Sequence, residues 1–273
     1  MIDIILENMI SKYEPTIEDV TALSNIDTLP PGRLDIARRM AIMSGMSEGK
    51  KVLVVSSHRG YQAAIYAKEF GANVCGLDID KSMIEYATRI AEENKVQINY
   101  VEGDAQKLPF QDNSFDIVTD EGAVGIPQNP QQVLNEMVRV LKPGGVMIFR
   151  ESIFSDGLDE DEKYEICQRY GNNIQDRAGW IKMIELAGVV VSECEIEPWS
   201  RPEFFWDVRH DRTVETYDNI YTTMEKLFIS KKIMKQYGAE GMKMASENEK
   251  EFYKAVIDKK IGYGIFCSKK GVD

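Results

Sequence analysis

The residues from Val52 to Asp80, VLVVSSHRGYQAAIYAKEFGANVCGLDID, have types and spacing that could bind a nucleotide-type ligand. They predict a strand, a tight turn, a helix and a second strand that ends in an acid, which is the outline of a nucleoside-binding or dinucleotide-binding βαβ unit. Asp78 ends the second strand about 20 residues after the turn, where a carboxylate can accept both hydroxyls of a ribose. The turn lacks most of the expected glycines, so the sequence leaves open whether such a ligand still binds there.

The turn "SSHRG" holds several candidate binding groups. The helix that starts after Gly60 keeps free N–H groups and a positive dipole end, which favour an anionic ligand group, and Ser56 and Ser57 add hydroxyl donors. Arg59 is a cation at a helix start, where it opposes the dipole unless it meets an anion. It therefore either contacts a carboxylate or phosphate or extends into solvent. His58 is either a donor to the ligand or an ordinary turn residue.

Regular alternation of strands and helices supplies the framework for these groups. Apolar residues recur at i, i+3, i+4 and i+7 in windows that lie between short apolar runs. The runs predicted as the first strands are Val52–Val55, Asn73–Leu77, Ile98–Val101, Phe115–Thr119 and Val146–Phe149. With later strands at Val189–Ile196 and in IGYGIFCSKK, the pattern predicts an α/β fold with a Rossmann-like, doubly wound, mostly parallel sheet of seven strands.

The chain is expected to be organised in four segments. Residues 1–48 read as a helical segment, residues 49–197 as the Rossmann-like core, residues 198–260 as a helical cap inserted before the last strand, and residues 261–273 as that strand. The cap is predicted because a connection of this length is too long for an ordinary loop and too rich in aromatic residues for a linker.

Composition narrows the classes of partner. The net charge of −12 disfavours nucleic acid, because binding a phosphate backbone requires a basic face that displaces counterions. The four cysteines show no CxxC spacing, so neither a disulfide framework nor a metal site is predicted. The amino terminus lacks the pattern of a secretory signal, and no apolar run approaches the roughly 20 residues of a membrane span. A cytoplasmic protein with no membrane partner is the expectation.

Four motifs, in this order and spacing, carry a family resemblance. They are GLDIDKSMIEYA, GDAQKLPFQDNSFDIV, LNEMVRVLKPGGVMIF and WIKMIELAGV. Together they resemble the class I S-adenosylmethionine-dependent methyltransferases, in the small-molecule branch typified by quinone-ring and sterol methyltransferases. The resemblance is strong over about residues 33–150. It implies an enzyme that uses S-adenosylmethionine to methylate a small-molecule substrate.

The resemblance also implies where the cofactor binds. Asp78 would hold the ribose hydroxyls, and Asp104 matches the position whose side chain accepts from the adenine amino group. Ala105 would supply a neighbouring backbone N–H, and Ile79 and Met83 an apolar slot for the adenine ring. The competing interpretation is that both aspartates are only helix caps or turn formers, which aspartate often is.

The first turn departs from the family pattern, which reads approximately acid-x-G-x-G-x-G. This chain has Val54, Ser56, His58 and Gly60 at those positions, so the acid and the first two glycines are missing. Residues that carry a Cβ must reshape the floor of the site. A second hypothesis therefore stands beside the enzyme: a non-catalytic protein that keeps the fold and binds a nucleoside-type or other ligand in a regulatory role.

On the acceptor side, the family places substrate groups on the loop after the fourth strand, here TDEGAVGIPQNP. Asp120 and Glu121 are therefore candidate catalytic residues, as a general base or as the partner of a cationic acceptor, and Asp120 is also a candidate cofactor contact. A solvated acidic turn is the alternative. The cap adds His210 as a third catalytic candidate, within an aromatic cluster from Trp199 to Tyr221 that either packs against the core or covers the acceptor. Tyr13 is a candidate for closing the cofactor site.

Overall fold

The computed structural model describes Pro15, residues 33–198 and residues 221–272 of the chain. Helices and strands alternate through most of this part. The helices are α1 (Arg33–Met43), α2 (Tyr61–Phe70), α3 (Lys81–Asn94), α4 (Pro130–Val140), α5 (Glu160–Tyr170), α6 (Arg177–Leu186) and α7 (Thr223–Ile257). The strands are β1 (Lys51–Val54), β2 (Asn73–Asp78), β3 (Asn99–Glu102), β4 (Phe115–Glu121), β5 (Leu141–Phe154), β6 (Gln175–Asp176), β7 (Val190–Pro198) and β8 (Ile261–Lys269).

Local sequence explains where the elements next to the sheet edge begin. Helix α2 follows Gly60, whose φ of 81° is a left-handed conformation that favours glycine. Helix α3 is capped by Asp80, whose side chain accepts a hydrogen bond from the Ser82 N–H at 2.7 Å. The side chains of β1 are buried from Val52 to Val54, as expected for a parallel strand covered by helices on both faces.

The predicted sheet is confirmed, with one short strand added. The strand order is β3-β2-β1-β4-β5-β8-β7, and the two-residue strand β6 pairs with β5. The pairs β1–β2, β1–β4, β2–β3 and β4–β5 are parallel. Gly144 and Lys270 are hydrogen-bonded at one end of the β5–β8 pair, and Ser155 and Lys260 at the other, so these two strands are antiparallel. Because the strand order reverses between β1 and β4, a ligand crevice is expected outside the carboxyl ends of these strands.

Strand β5 is longer than the sequence predicts at both ends. The motif LKPGG ends α4, as expected, but its residues already belong to the strand that follows, with Gly144 at φ 74°. A Cβ on Gly145 would lie 2.9 Å from the backbone oxygen of Asp116, so this glycine allows the two strands to approach. At the other end β5 continues through the charged pair Arg150–Glu151 to Phe154.

The chain divides into two compact units. The described residues of the first are 33–153, 173–197 and 263–272, which hold most of the sheet, and those of the second include 154–172 and 221–262. The division groups residues 33–48 with the sheet and residues 154–172 with α7. The four-segment organisation predicted from the sequence stays a prediction.

Each unit has apolar packing of its own. In the sheet unit Phe149 stacks on Phe266 with ring centroids 5.3 Å apart, and the indole N–H of Trp180 donates to the Ser152 carbonyl at 3.0 Å. In the other unit α7 is broken at Gly238, and Tyr170 stacks on Phe252 at 4.5 Å. Within the described ranges, no helix combines the length and the apolar character that crossing a bilayer would require.

Candidate functional site

Asp78 connects the turn after β1 to the end of β2. It is buried, and its Oδ2 accepts a hydrogen bond from the His58 N–H at 2.7 Å while its Oδ1 accepts from the Asp80 N–H at 3.0 Å. A carboxylate has about four lone-pair sites, so each oxygen can accept a further bond. The Asp78 carboxylate therefore holds the turn in place and still has capacity for a ligand hydroxyl.

The turn after β1 has a glycine-like backbone although most of its residues carry a Cβ. Ser56 and His58 have φ of 51° and 47°, and Gly60 has φ of 81°. A left-handed conformation costs an L-residue roughly 1–2 kcal/mol. Backbone hydrogen bonds offset this strain: Ser57 donates to Leu77 at 2.7 Å and Gly60 donates to Ser57 at 2.9 Å. The substitutions seen in the sequence change the side chains of the turn and leave its backbone in the conformation that glycine favours.

Two glycines make room for Tyr100 behind the turn. A Cβ on Gly60 would lie 2.5 Å from the Tyr100 hydroxyl and 2.8 Å from the Ala87 Cβ, and a Cβ on Gly76 would lie 2.5 Å from the Tyr100 ring. Real Cβ atoms do not approach other atoms so closely, because packed interiors tolerate little overlap. Two separate features therefore favour glycine at position 60: its left-handed φ and the lack of space for a Cβ.

The side chains of Arg59 and His58, both in the turn after β1, point in different directions. Arg59 is only 7% exposed, and its guanidinium lies 4.7 Å from the ring centroid of Tyr86 on α3. Arg89 approaches the same ring at 5.1 Å. Arg59 therefore does not extend into solvent; it stacks on an aromatic ring of the neighbouring helix. The side chain of His58 is exposed, while its backbone N–H bonds to Asp78.

Of the predicted adenine-binding residues, Ile79 follows β2, Asp104 and Ala105 follow β3, and Met83 lies in the first turn of α3. Asp104 caps the 3₁₀ turn Ala105–Lys107, accepting a hydrogen bond from the Gln106 N–H through Oδ1 at 2.8 Å. Asp104 therefore acts as a cap, as the competing interpretation predicted, through one of its two carboxylate oxygens. Ala105 is buried, Met83 is half-buried and Ile79 is 70% exposed, which leaves the Ile79 side chain accessible to a ligand.

The carboxyl end of β4 carries the two acids predicted for the acceptor side. Asp120 is fully buried, and its Oδ1 accepts from the Ala123 N–H at 2.9 Å. Asp120 Oδ2 and Glu121 Oε1 are buried and have no hydrogen-bond partner among the described residues. Because side chains alternate along a strand, the two carboxylates project to opposite faces of the sheet. They are not a solvated turn, and they do not form a single pair.

Burial dominates the electrostatics of these acids. It raises the pKa of Asp120 well above its usual value, and the nearby charge of Glu151 raises this pKa further. It also raises the pKa of Glu121 to about 7, although Arg150 acts in the opposite direction. Strong perturbation of this kind is common at functional sites.

Sequence reasoning missed two charged residues that lie beside these acids. Glu151 is 1% exposed and holds the loop after β4, accepting from the Gly125 N–H at 2.9 Å through Oε1 and from the Ser152 N–H at 3.0 Å through Oε2. Burial raises its pKa to about 7. Arg150 is 3% exposed and lies 4.8 Å from the ring centroid of Tyr263. The signal was the charged pair inside the apolar run VMIFRESIF, since buried charges are rare without a role.

Further interactions fix the loop after β4. Asn173 donates from Nδ2 to the Gly125 carbonyl at 2.8 Å and to the Pro127 carbonyl at 3.0 Å. With Asp120 and Glu151, three side chains from separate segments therefore hold this loop. The remaining predicted site residues, His210, Tyr13 and the aromatic residues between 199 and 217, lie outside the described residues. No cluster of potential metal ligands occurs in the part of the chain that the structure describes.

Residues 53–149, which contain all of these strand ends except that of β5, match the family model described as a methyltransferase domain. This segment is similar to methyltransferase domains. The resemblance predicted from the sequence is thus confirmed over these residues, which contain the first three of the four motifs. The matched segment includes the turn after β1, Asp78, Asp104 and both acids of β4, whereas Arg150 and Glu151 follow it directly.

Individual relatives agree with this assignment. The chain is 37% identical over 139 residues to the sterol 24-C-methyltransferase erg6 of Aspergillus fumigatus, which covers 50% of this chain and 37% of that protein. The chain spans between 37% and 51% of the length of the first curated relatives that it matches.

Solved structures share the architecture over most of the chain. Phosphoethanolamine N-methyltransferase 2 of Haemonchus contortus, solved in complex with S-adenosyl-L-methionine, has a TM-score of 0.67 at 20% identity and covers 94% of this chain and 57% of its own. The [4+2]-cyclase SpnF has a TM-score of 0.71 at 18% identity and covers 96% of this chain and 98% of its own. At such identities the likeness shows the fold, and the cyclase shows that the fold alone does not identify a reaction.

Proposed function

We propose that this protein is an S-adenosylmethionine-dependent methyltransferase that acts on a small-molecule acceptor. The observation that carries the proposal is the turn after β1, whose backbone is glycine-like at Ser56 and His58 and is held by Asp78. A chain that had abandoned the site would have no physical reason to maintain two strained residues around a buried carboxylate. The methyltransferase domain match and the sterol methyltransferase relative support the same activity.

The residues at the carboxyl ends of β1, β2 and β3 suit the adenosyl cofactor. Asp78 retains lone pairs for ribose hydroxyls, and Asp104 has an oxygen beyond the one used in capping. Helix α2 has neither a side-chain cap nor an acid in its first turn, so its N–H groups and dipole favour a carboxylate. Arg59 stacks on Tyr86, so its side chain is directed to α3. When bound, S-adenosylmethionine supplies a methyl group activated by a sulfonium.

The acceptor end is assigned to β4 and to the loop that follows it. Methyl transfer is an in-line displacement, so the protein contributes mainly positioning and the exclusion of water. The loop held by Asp120 and Glu151 is suited to positioning, and a carboxylate at this end can also accept a proton from the acceptor. His210 remains a candidate base. The relatives act on acceptors as different as sterols and phosphoethanolamine, so the proposal extends to the small-molecule class.

Charge and cysteine chemistry support two further parts of the proposal. The net charge of −12 favours a small-molecule partner over nucleic acid. Four free cysteines are compatible with a reducing compartment, and we place the protein in the cytoplasm.

The test uses the purified full chain. Mass spectrometry of ligand released on denaturation is expected to detect S-adenosylmethionine or S-adenosylhomocysteine. Incubation with S-adenosylmethionine carrying a trideuterated methyl group, together with a small-molecule extract and a panel of sterol, quinone and amine acceptors, is expected to label a small molecule. Cofactor binding without label in any fraction would favour the non-catalytic interpretation and overturn the proposed activity.

A further inference from the structure

The first half of α7 exposes a row of large apolar side chains. Gly238, at φ 72°, breaks the helix, and we call residues 223–237 before it the first arm of α7. On one side of this arm Ile229 and Ile233 are buried and pack with Ala245 from the rest of α7. Other large apolar residues of the arm are between 47% and 72% exposed: Met224, Leu227, Phe228 and Met234.

The helical repeat places these four side chains on one side of the arm. At about 100° per residue, they lie within roughly a third of the circumference, opposite Ile229 and Ile233. Lys231 and Lys235 are also exposed and lie in the same third of the circumference. We call this exposed surface the arm stripe; its members are Met224, Leu227, Phe228, Lys231, Met234 and Lys235.

The arm is basic although the protein is acidic. Residues 223–237 contain four lysines and one acid, whereas the whole chain has 33 basic residues and 45 acids. The single acid, Glu225, belongs to the start of the helix, where its carboxylate accepts from the Thr222 N–H at 2.7 Å. Lys232 borders the stripe, with its Nζ 4.5 Å from the ring centroid of Phe228. A basic surface on an acidic protein favours an anionic partner at this place.

A lipid surface fits the chemistry of the arm stripe. Helices that lie on membranes insert apolar side chains such as Phe and Leu into the boundary between headgroups and acyl chains. Lysine has a long apolar stem, so it can lie among these side chains while its ammonium group stays among the anionic headgroups. Two copies of this chain that met through the same stripe would bring lysines against lysines. We propose that the first arm of α7 docks the protein on a membrane surface that contains anionic lipids.

Such docking requires no segment that spans the membrane. The expectation of no membrane partner rested on the lack of a sufficiently long apolar run, and a surface helix does not need one. The proposal therefore revises that expectation. It is independent of the proposed methyl transfer, which cofactor binding and methyl labelling test separately.

The test is co-sedimentation of the purified full chain with lipid vesicles at low salt. Vesicles of phosphatidylcholine with about 30% phosphatidylserine are expected to bind the protein at least about tenfold more tightly than vesicles of phosphatidylcholine alone. Lys231→Gln combined with Lys235→Gln is expected to weaken binding to the anionic vesicles about 25-fold, since each lysine near such a surface contributes about fivefold. Leu227→Ser combined with Phe228→Ser is expected to weaken it at least about tenfold, because less apolar surface is inserted.

Matched controls change exposed residues of the sheet unit. Lys50→Gln combined with Lys182→Gln removes the same charge, and Leu186→Ser shortens an exposed apolar side chain of α6. Both controls are expected to bind the anionic vesicles within about twofold of wild type. Urea unfolding is expected to be nearly unchanged in every variant, because all of the substituted positions are exposed.

Four results would overturn the inference. The first is a folded wild type that does not bind the anionic vesicles, and the second is an equal loss of binding in the stripe variants and the controls. The third is a wild-type dimer that Leu227→Ser with Phe228→Ser converts to a monomer, which would make the stripe an interface between copies. The fourth is binding of polyglutamate as tight as binding of the anionic vesicles, which would assign the stripe to an acidic protein partner.

Discussion

The carboxyl ends of β2 and β4 both carry a buried aspartate, and the two ends differ in how their polar atoms are satisfied. At β2 both oxygens of Asp78 accept backbone N–H groups from the turn and from the start of α3. At β4 one oxygen of Asp120 and one of Glu121 have no partner among the described residues. At the end of β2, both carboxylate oxygens of Asp78 are satisfied by the chain itself. At the end of β4, the unpaired carboxylate oxygens are satisfied only by a proton or by a ligand.

This difference indicates that the ends of β2 and β4 have different roles. Backbone donors around Asp78 fix the turn and the start of α3, and under the proposed function they would preform the site for the nucleoside and reduce the cost of ordering it on binding. Near the end of β4, burial raises the pKa of Glu121, and that of Glu151 on the neighbouring strand β5, to about 7, so both acids change charge near neutral pH. The β2 end is thus expected to respond to changes of shape and the β4 end to changes of charge.

The largest effect is expected from a change of shape in the turn after β1, which Asp78 at the end of β2 holds in place. Gly60→Ala should lower the free energy of unfolding by about 3 kcal/mol, because it combines a left-handed φ with contacts of 2.5 Å and 2.8 Å to Tyr100 and Ala87. Gly45→Ala is the control: it has φ of 65° and no atom within 4 Å of the new Cβ, so about 1 kcal/mol is expected. Urea unfolding measures both. Equal losses would show that the turn is not tightly packed.

A change of charge at the β4 end should produce a smaller effect that depends on pH. The folded-state pKa of Glu121 is raised, so its contribution to stability is present below about pH 4.5 and is lost as the pH rises through about 7. Gln does not ionise, so the Glu121→Gln variant does not lose this stability as the pH rises. The free energy of unfolding of the variant, relative to wild type, should therefore increase by about 2.5 kcal/mol between pH 5 and pH 8.

Urea unfolding at the two pH values measures this change, with Glu102→Gln as the control for removing an exposed acid. A difference between variant and wild type that is the same at both pH values would contradict the assignment of an ionisable, buried Glu121.

The smallest effect is expected where only the side chains of the turn change. His58→Gly should raise the free energy of unfolding by about 0.5 kcal/mol, because glycine adopts φ of 47° without strain but loses more entropy on folding. Lys95→Gly, at φ of 58° after α3, should behave alike. Affinity of His58→Gly for S-adenosylhomocysteine should stay within about threefold of wild type. A large loss of affinity would mean that the imidazole, and not the backbone, binds the ligand.

The sequence predicted the elements with strong periodicity and the acids that follow them. Asp78 was located because an apolar run ends there, at a set distance from a turn. The continuation of β5 through LKPGG and RES was not predictable, because a proline, two glycines and two charges read as interruptions of a strand. Their place in the sheet depends on pairing with β4 and β8, which lie far away in the chain. The two-residue strand β6 is too short to show any period.

Side-chain direction was the other part that the sequence could not supply. Arg59 was predicted to reach either an anion or solvent, and its stacking on Tyr86 depends on how α3 packs beside the turn. Asp120 and Glu121 were treated as one acidic group, although alternation along β4 separates them. Glu151 was overlooked because its partner Gly125 lies on a loop 26 positions away.

The most direct test of the central claim is the affinity for S-adenosylhomocysteine measured by calorimetry for wild type, Asp78→Ala and Glu102→Gln. Asp78 and Glu102 are register partners at the ends of β2 and β3, so the two variants remove acids from the same edge of the sheet. The account predicts micromolar or tighter binding by the wild type, a loss of at least about 100-fold for Asp78→Ala and no change for Glu102→Gln. Wild-type affinity in a folded Asp78→Ala protein would contradict the placement of the nucleoside on this carboxylate.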